Sequence, residues 1–224
     1  MTITRNILSN SALSFFIGSL IFFASCKKDQ SPSYRLQGTV SEAESGQPLS
    51  DVSVLIEKQS LSGNNYNGVY VMADQEYTSG SGSYSAEWDR DNVVELRATL
   101  TKNQYITVVR DLNPNILSTE SAATVNFQMH PQSFVKIVFE KNPSLSQNQQ
   151  INFRFDNAIF DCNCCTNDWV SYSPAILDTS KTCQVYGDYW LKYRYELIRA
   201  NQDSIVYDSI YCPRFVQSEK TIVW

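Results

Sequence analysis

The 224-residue chain contains a single histidine, His130, and no G-x-S-x-G or comparable nucleophile motif, so a Ser-His-Asp relay has no support. Beside Pro131, His130 reads as a solvated linker residue. There is no basic run either: 18 Lys+Arg face 23 Asp+Glu, a net charge of −5. That balance removes the electrostatic footprint a nucleic-acid binder needs. After residue 24 no apolar stretch approaches the length of a membrane-spanning helix. No stretch repeats its apolar residues every 3.6 positions, so almost no helix is expected. Charged residues make up only 18% of the chain, while β-branched and aromatic residues are plentiful. That composition favours strands.

What the chain does have begins at its N-terminus. Arg5 is the only charged residue before a mainly apolar run of 13 residues, Ala12 to Ala24, followed by Ser25 and Cys26. A positive n-region, an h-region too short to span a bilayer and a small-residue cleavage site make a secretory signal. With cysteine after the Ala24-Ser25 pair, the segment resembles a bacterial lipoprotein signal with a lipobox, although Phe23 stands where Leu is usual. The resemblance implies diacylglycerol on the Cys26 sulfur, cleavage after Ser25 and Cys26 as the acylated N-terminus. Two or more acyl chains anchor a protein stably without a transmembrane helix. Residues 26–33 then form a polar tether. Its Cys-Lys-Lys-Asp start is similar to lipoproteins of the Bacteroidota. The expected location is the cell envelope, at the outer membrane, with the periplasmic or surface face left open. Without residues 1–25 the chain has 199 residues, 17 basic against 23 acidic, a net charge of −6. That length suits one large or two small domains.

Residues 34–130 alternate as short strands. Leu36 and Val40 share one face; Val52, Val54 and Ile56 share another; Val94, Leu96, Ala98 and Leu100 oppose Glu95, Arg97 and Thr99. Further strands are expected at Tyr105–Val109 and Thr124–Met129. Gly80, Gly82 and Asn113-Pro114 punctuate the turns. Three motifs stand in order here: Gly38-Thr39-Val40, then Gly46-Gln47-Pro48-Leu49-Ser50-Asp51-Val52-Ser53-Val54, then Thr78-Ser79-Gly80-Ser81-Gly82-Ser83-Tyr84. Together they resemble the carboxypeptidase regulatory-like (transthyretin-like, prealbumin-type) domain. Two departures are visible: Ser79-Gly80-Ser81 lacks the acidic residue many members carry, and Ser60–Gln75 reads as an irregular insertion. The resemblance implies a β-sandwich of about seven strands. It implies no catalysis, because such modules accompany enzymes and receptors without supplying active-site residues.

Residues 131–224 form a second alternating region of no recognised family. Val135, Ile137 and Phe139 restart the pattern, and Ile151, Phe153 and Phe155 continue it. Leu191, Tyr193, Tyr195 and Leu197 head a hairpin returning over Ser204–Tyr211, and Thr221–Trp224 could close the sheet. The expected architecture is all-β: two tandem antiparallel β-sandwiches.

With Cys26 committed to lipid, Cys162, Cys164, Cys165, Cys183 and Cys212 remain, all in the second region. An oxidising envelope makes disulfides the default, and five cysteines allow at most two bridges. The expectation is that two of the Cys162–Cys165 cluster bridge to Cys183 and Cys212. A thiolate site for zinc or cuprous copper is the sharper alternative, though the C-x-C-C spacing and the lack of a nearby histidine argue against it. No cofactor or metal is therefore assigned. Glu87, Asp89, Asp91 and Glu95 are the densest acidic stretch and read as a solvated face. Trp88, Trp169, Tyr172, Tyr186, Tyr189 and Trp190 fall in or beside expected loops, where exposed rings could stack on sugars. The function these features support is a non-enzymatic, lipid-anchored structural or interaction module with an envelope-protein or glycan partner. Carbohydrate or peptide binding, and thiol redox or metal handling, are the alternatives.

Overall fold

A computed structural model describes residues 31–62, 65–66, 68–142, 150–156, 167–172, 179–198 and 203–224. The signal segment, Cys26 and the cluster Cys162, Cys164 and Cys165 lie outside the described residues. Period-two burial decides the first half of the molecule. Its strands are β1 (Ser33–Glu42), β2 (Ser53–Ser62), β3 (Asn65–Tyr66), β4 (Val71–Tyr77), β5 (Ser83–Asp89), β6 (Asn92–Thr101), β7 (Val108–Leu112), β8 (Ala123–Thr124) and β9 (Phe127–Met129). One sheet places β1 between antiparallel β5 and parallel β8 and β9; the other joins β3 and β4 to β2, then β6 and β7. Leu36, Val40, Val54, Ile56, Tyr84, Ala86, Trp88, Leu96, Ala98 and Leu100 fill the space between them. Each large aliphatic chain buried this way is worth roughly 1.5–3 kcal/mol.

The motif residues explain the turns. The Thr78 hydroxyl donates to Leu49 O at 2.6 Å and accepts from Val52 N at 2.9 Å, stitching the second motif to the third. Gly82 has φ +76, and a Cβ there would lie 2.5 Å from Val40 O. The turn into β5 therefore requires glycine.

The second half comprises β10 (Gln132–Glu140), β11 (Gln150–Phe155), β12 (Val170–Tyr172), β13 (Thr179–Tyr186), β14 (Tyr189–Ile198), β15 (Ser204–Cys212) and β16 (Gln217–Val223). A three-stranded sheet runs β13-β10-β16 and a four-stranded one β12-β11-β14-β15. Val135, Ile137, Phe139, Ile151, Phe153, Phe155, Leu191, Tyr193, Ile222 and Trp224 pack between them. The fold is all-β, two sandwiches in succession. Among the described residues the only helical turn is the 3-10 turn Pro114–Ile116, capped by the Asn113 side chain. No helix among them is long and apolar enough to cross a membrane.

Several details differ from the sequence expectation. The sheets are mixed, since β1–β8, β1–β9 and β10–β16 pair in parallel. Tyr105 is no strand residue: it bridges Pro131, and β7 starts only at Val108. The stretch Ser60–Gln75 is not all irregular, because β4 begins at Val71 and pairs β2. No position of β4 is fully buried, which is why its strand left no apolar alternation. The expected Thr124–Met129 strand is broken at Val125 and Asn126 into β8 and β9.

The two cores share no residue, the first ending at Met129 and the second beginning at Val135, yet Pro32–Trp224 forms one compact unit. The joint is dense in bonds. Gly187 N donates to Pro131 O at 2.7 Å, Gln132 N to Gln104 O at 2.8 Å, and Phe215 N to Gln132 O at 2.7 Å. His130 is not a solvated linker residue: its ring stacks on Tyr186 at 3.8 Å, and its Nδ1 lies 3.4 Å from Glu44 Oε1.

Candidate binding face of the second module

Alternation that buries Leu191 and Tyr193 must turn Trp190, Lys192, Arg194 and Glu196 outward from β14. Pairing with β15 sets Trp190 opposite Tyr211, Lys192 opposite Ser209, Arg194 opposite Tyr207 and Glu196 opposite Ile205. On the other side β11 adds Arg154 beside Arg194 and Asn152 beside Glu196. Just before β12, Trp169 lies over both arginines, its ring centroid 5.6 Å from the Arg154 guanidinium and 5.5 Å from that of Arg194. Arg194 is also 5.8 Å from the Tyr207 ring. Cation–π contacts of this kind hold exposed rings in a fixed plane.

Asp156 anchors the arrangement, at 3.0 Å from Arg194 Nε and 3.3 Å from Arg154 Nε. Asn152 donates to Glu196 at 2.9 Å and accepts from Ser171 at 2.7 Å. Trp190 and Tyr211 make a second aromatic pair, 5.4 Å apart. Trp190 is 58% exposed, Tyr207 67% and Trp169 43%, so the rings face solvent rather than core. Beside Tyr207 lies a shallow 280 Å³ depression lined by Asp156, Lys192, Tyr193, Tyr207, Asp208 and Ser209. At about 3.3 Å per strand residue, Trp190 and Arg194 stand roughly 13 Å apart along β14. The face thus offers two ring platforms separated by hydrogen-bonding groups. That pattern suits an extended, ring-containing, polar ligand.

The sequence-predicted aromatics divide. Trp169 and Trp190 do stand exposed on this face. Trp88 does not; it sits in β5, 6% exposed within the first core. Tyr172 packs on Phe139 at 4.4 Å, and Tyr186 stacks on His130 with Tyr189 edge-on at 6.3 Å. Tyr207 and Tyr211 join Trp169 and Trp190: four residues apart on β15 they share one face, and the register with β14 sets them opposite Arg194 and Trp190. The acidic stretch is largely partnered: Asp91 pairs with Lys58 at 2.8 Å, Glu95 accepts from Tyr70 at 2.7 Å, and Glu87 accepts from Ser33.

Among the described cysteines, Cys212 departs from the expectation. Cys212 is a free thiol, wholly buried, because β15 turns it into the core opposite Tyr189. Its expected role in a disulfide is corrected accordingly. Cys183, 1% exposed, lines the same core and is engaged rather than free. Among the described residues no group of three His, Cys, Asp or Glu could hold a metal ion.

No protein-family model matches the sequence, and no curated protein matches it. Several solved structures are similar in shape. A 3-chlorocatechol 1,2-dioxygenase from Rhodococcus opacus is 13% identical with a TM-score of 0.34, covering 46% of this chain and 61% of its own. A 9R-lipoxygenase from Cyanothece is 10% identical with a TM-score of 0.32, over 43% of this chain and 16% of that one. GBS52, a minor pilin of Streptococcus agalactiae, is 10% identical with a TM-score of 0.32, over 85% of this chain and 94% of the pilin. This chain therefore spans less than two thirds of the two enzymes. None of these likenesses is close enough to transfer a family or an activity.

Proposed function

We propose that the chain is a non-enzymatic binding module of the cell envelope, tethered through acylated Cys26, whose second sandwich engages carbohydrate. The observation that carries this reading is the solvent-facing arrangement of Trp169 and Tyr207 about Arg194, with Trp190 and Tyr211 two rows further along the same face, beyond Lys192 and Ser209. Exposed rings held by cations, with Asn152, Glu196, Lys192 and Ser209 between and beside them, match a sugar's apolar ring faces and its hydroxyls. In the same reading the first sandwich is a carboxypeptidase regulatory-like domain acting as a spacer above an outer membrane. One of Cys162, Cys164 and Cys165 bridges to Cys183.

Tryptophan fluorescence tests the binding. Titration with neutral oligosaccharides should quench or shift emission. Trp169→Ala and Trp190→Ala should each weaken binding about fivefold or more, on the scale of the roughly 1–3 kcal/mol that stacking a nucleobase on an aromatic side chain contributes. Saturable binding that survives both changes would remove the face from consideration. Intact mass spectrometry of protein from its native membrane tests the tether, which requires acyl mass on a chain beginning at Cys26.

A further inference from the structure

The first sandwich has an open side where the edge strands β7 and β9 face each other, and it holds a groove of about 580 Å³. Its formation depends on Gly38. A Cβ there would fall 1.8 Å from Val125 O, so only glycine lets the β8–β9 connection cross so close to β1. The break at Val125 and Asn126 turns the Asn126 amide outward. Asn126 Oδ1 accepts from Thr39 N at 2.9 Å and from Thr39 Oγ1 at 3.1 Å. Those two bonds fix the amide, and its Nδ2 donors have no partner among the described residues. Arg110 on β7 reaches the same place: its guanidinium lies 5.6 Å from the Phe127 ring, with Nη1 3.4 Å from Asn126 O. Arg110 forms no ion pair among the described residues. Gln128, Ser41 and His130 complete the polar lining, and not one Asp or Glu belongs to it. Glu44 lies beside it, 3.4 Å from His130 Nδ1.

We infer that this groove binds the carboxylate of an acidic sugar, a uronic-acid residue, at a site separate from the aromatic face. A guanidinium set beside unspent amide donors is the arrangement that takes a carboxylate with directional hydrogen bonds. A lining free of acids is notable in a chain of net charge −5, because the field elsewhere repels an anion. The remaining groups are amides and hydroxyls, which both donate and accept and so match ring hydroxyls. Acidic peptide is the poorer fit. Its apolar side chains would find only Val108 and Phe127 in the lining, and Phe127 is already 3% exposed within the core. The volume lies within the range usual for small-ligand sites.

His130 provides a clean reporter. As the chain's single histidine it gives one set of imidazole NMR signals, and it lines this groove rather than the aromatic face. Titrating the full mature chain with trigalacturonate should move those signals saturably. A neutral galactose trimer should bind at least tenfold more weakly. Arg110→Ala should weaken trigalacturonate at least tenfold and Arg110→Lys less, while the Trp169→Ala/Trp190→Ala double variant should bind it as wild type does. Unaltered melting of the Arg110 variants separates lost binding from lost fold. Several results would overturn the inference: no movement of the imidazole signals, equal binding of the neutral trimer, or tighter binding of a glutamate-rich peptide. Loss of binding in the tryptophan double variant alone would also overturn it, by moving the site to the second sandwich. Because the two sites are probed by different variants, failure here leaves the aromatic face standing, and the reverse holds too.

Discussion

Arg214 Nη1 lies 3.1 Å from Glu42 Oε1, joining residues 172 positions apart across the seam between the two sandwiches. Glu42 is only 3% exposed, and it also accepts from Tyr105 OH and Ser45 Oγ, both at 2.8 Å. On its other side Arg214 pairs with Asp188, while neighbouring Phe215 meets Tyr105 edge-on at 5.6 Å. A buried carboxylate stripped of its cation is costly, whereas Arg214 itself is partly in water. Arg214→Ala should therefore lower stability by roughly 1–3 kcal/mol, below the cost of breaking a fully buried pair. Urea denaturation measures this. A double-mutant cycle with Glu42→Gln should return a coupling above 0.5 kcal/mol by order of magnitude. A coupling near zero would mean the ion pair does not hold the seam.

The same carboxylates predict the response to acid. Burial pushes the Glu42 carboxyl up, but hydrogen bonds from Ser45 and Tyr105 and the Arg214 charge outweigh it, leaving it below its ordinary 4.5. At Asp188 burial is likewise outweighed, by hydrogen bonds and charge from Arg214, and the carboxyl falls below 3.8. Groups depressed on folding stabilise fully above their unfolded values and lose that contribution as pH falls through their folded ones. Melting temperature should thus be insensitive to these two groups above about pH 5 and fall progressively from pH 4.5 downward. In Glu42→Gln that acid slope should be shallower. An identical slope would assign the acid sensitivity to other carboxylates.

Two glycines two residues apart should behave oppositely. Gly80 has nothing within 4 Å of a Cβ position, whereas at Gly82 a Cβ would meet Val40 O at 2.5 Å with φ at +76. Gly80→Ala should be close to neutral, within about 0.5 kcal/mol. Gly82→Ala combines left-handed strain with a backbone clash and should cost roughly 2 kcal/mol or more. Equal thermal shifts for the two variants would contradict the turn geometry.

Legibility in the sequence followed burial. Strands with one buried face, such as β5 with Tyr84, Ala86 and Trp88 or β10 with Val135, Ile137 and Phe139, bury every second residue. Strand β10 is readable for that reason, and β5 is readable at its Tyr84 end through the third motif, whereas its Trp88 end lies beside the expected loop. Strand β4 has no buried face, and parallel pairing of β1 with β9 leaves no local signature, so neither could be read. The aromatic face was half legible. Trp169 and Trp190 stood out by type, but Tyr207 and Tyr211 acquire meaning only once β15 is registered against β14. The Arg110 groove was invisible, since it arises from a strand break and from two edges brought together by the fold.

Cys212 should be chemically silent while the second sandwich is folded. Its thiol lies wholly within the core, and burial pushes its pKa up to about 11, only partly offset by a backbone hydrogen bond from Leu191. At pH 8 about one such thiol in a thousand would be ionised even if a reagent could reach it, and thiolate is the reacting form. Access requires opening of β15 from β14, so labelling becomes a measure of local unfolding. In a chain carrying Ser at positions 162, 164, 165 and 183, an aromatic disulfide reagent should modify Cys212 slowly in buffer. Modification should be rapid in denaturing urea. Should that variant fail to fold, mass mapping of alkylated wild-type peptides gives the same readout for Cys212. Rapid labelling under native conditions would show that the β14–β15 hairpin, which carries most of the aromatic face, opens readily, and would weaken the case for a preformed binding surface.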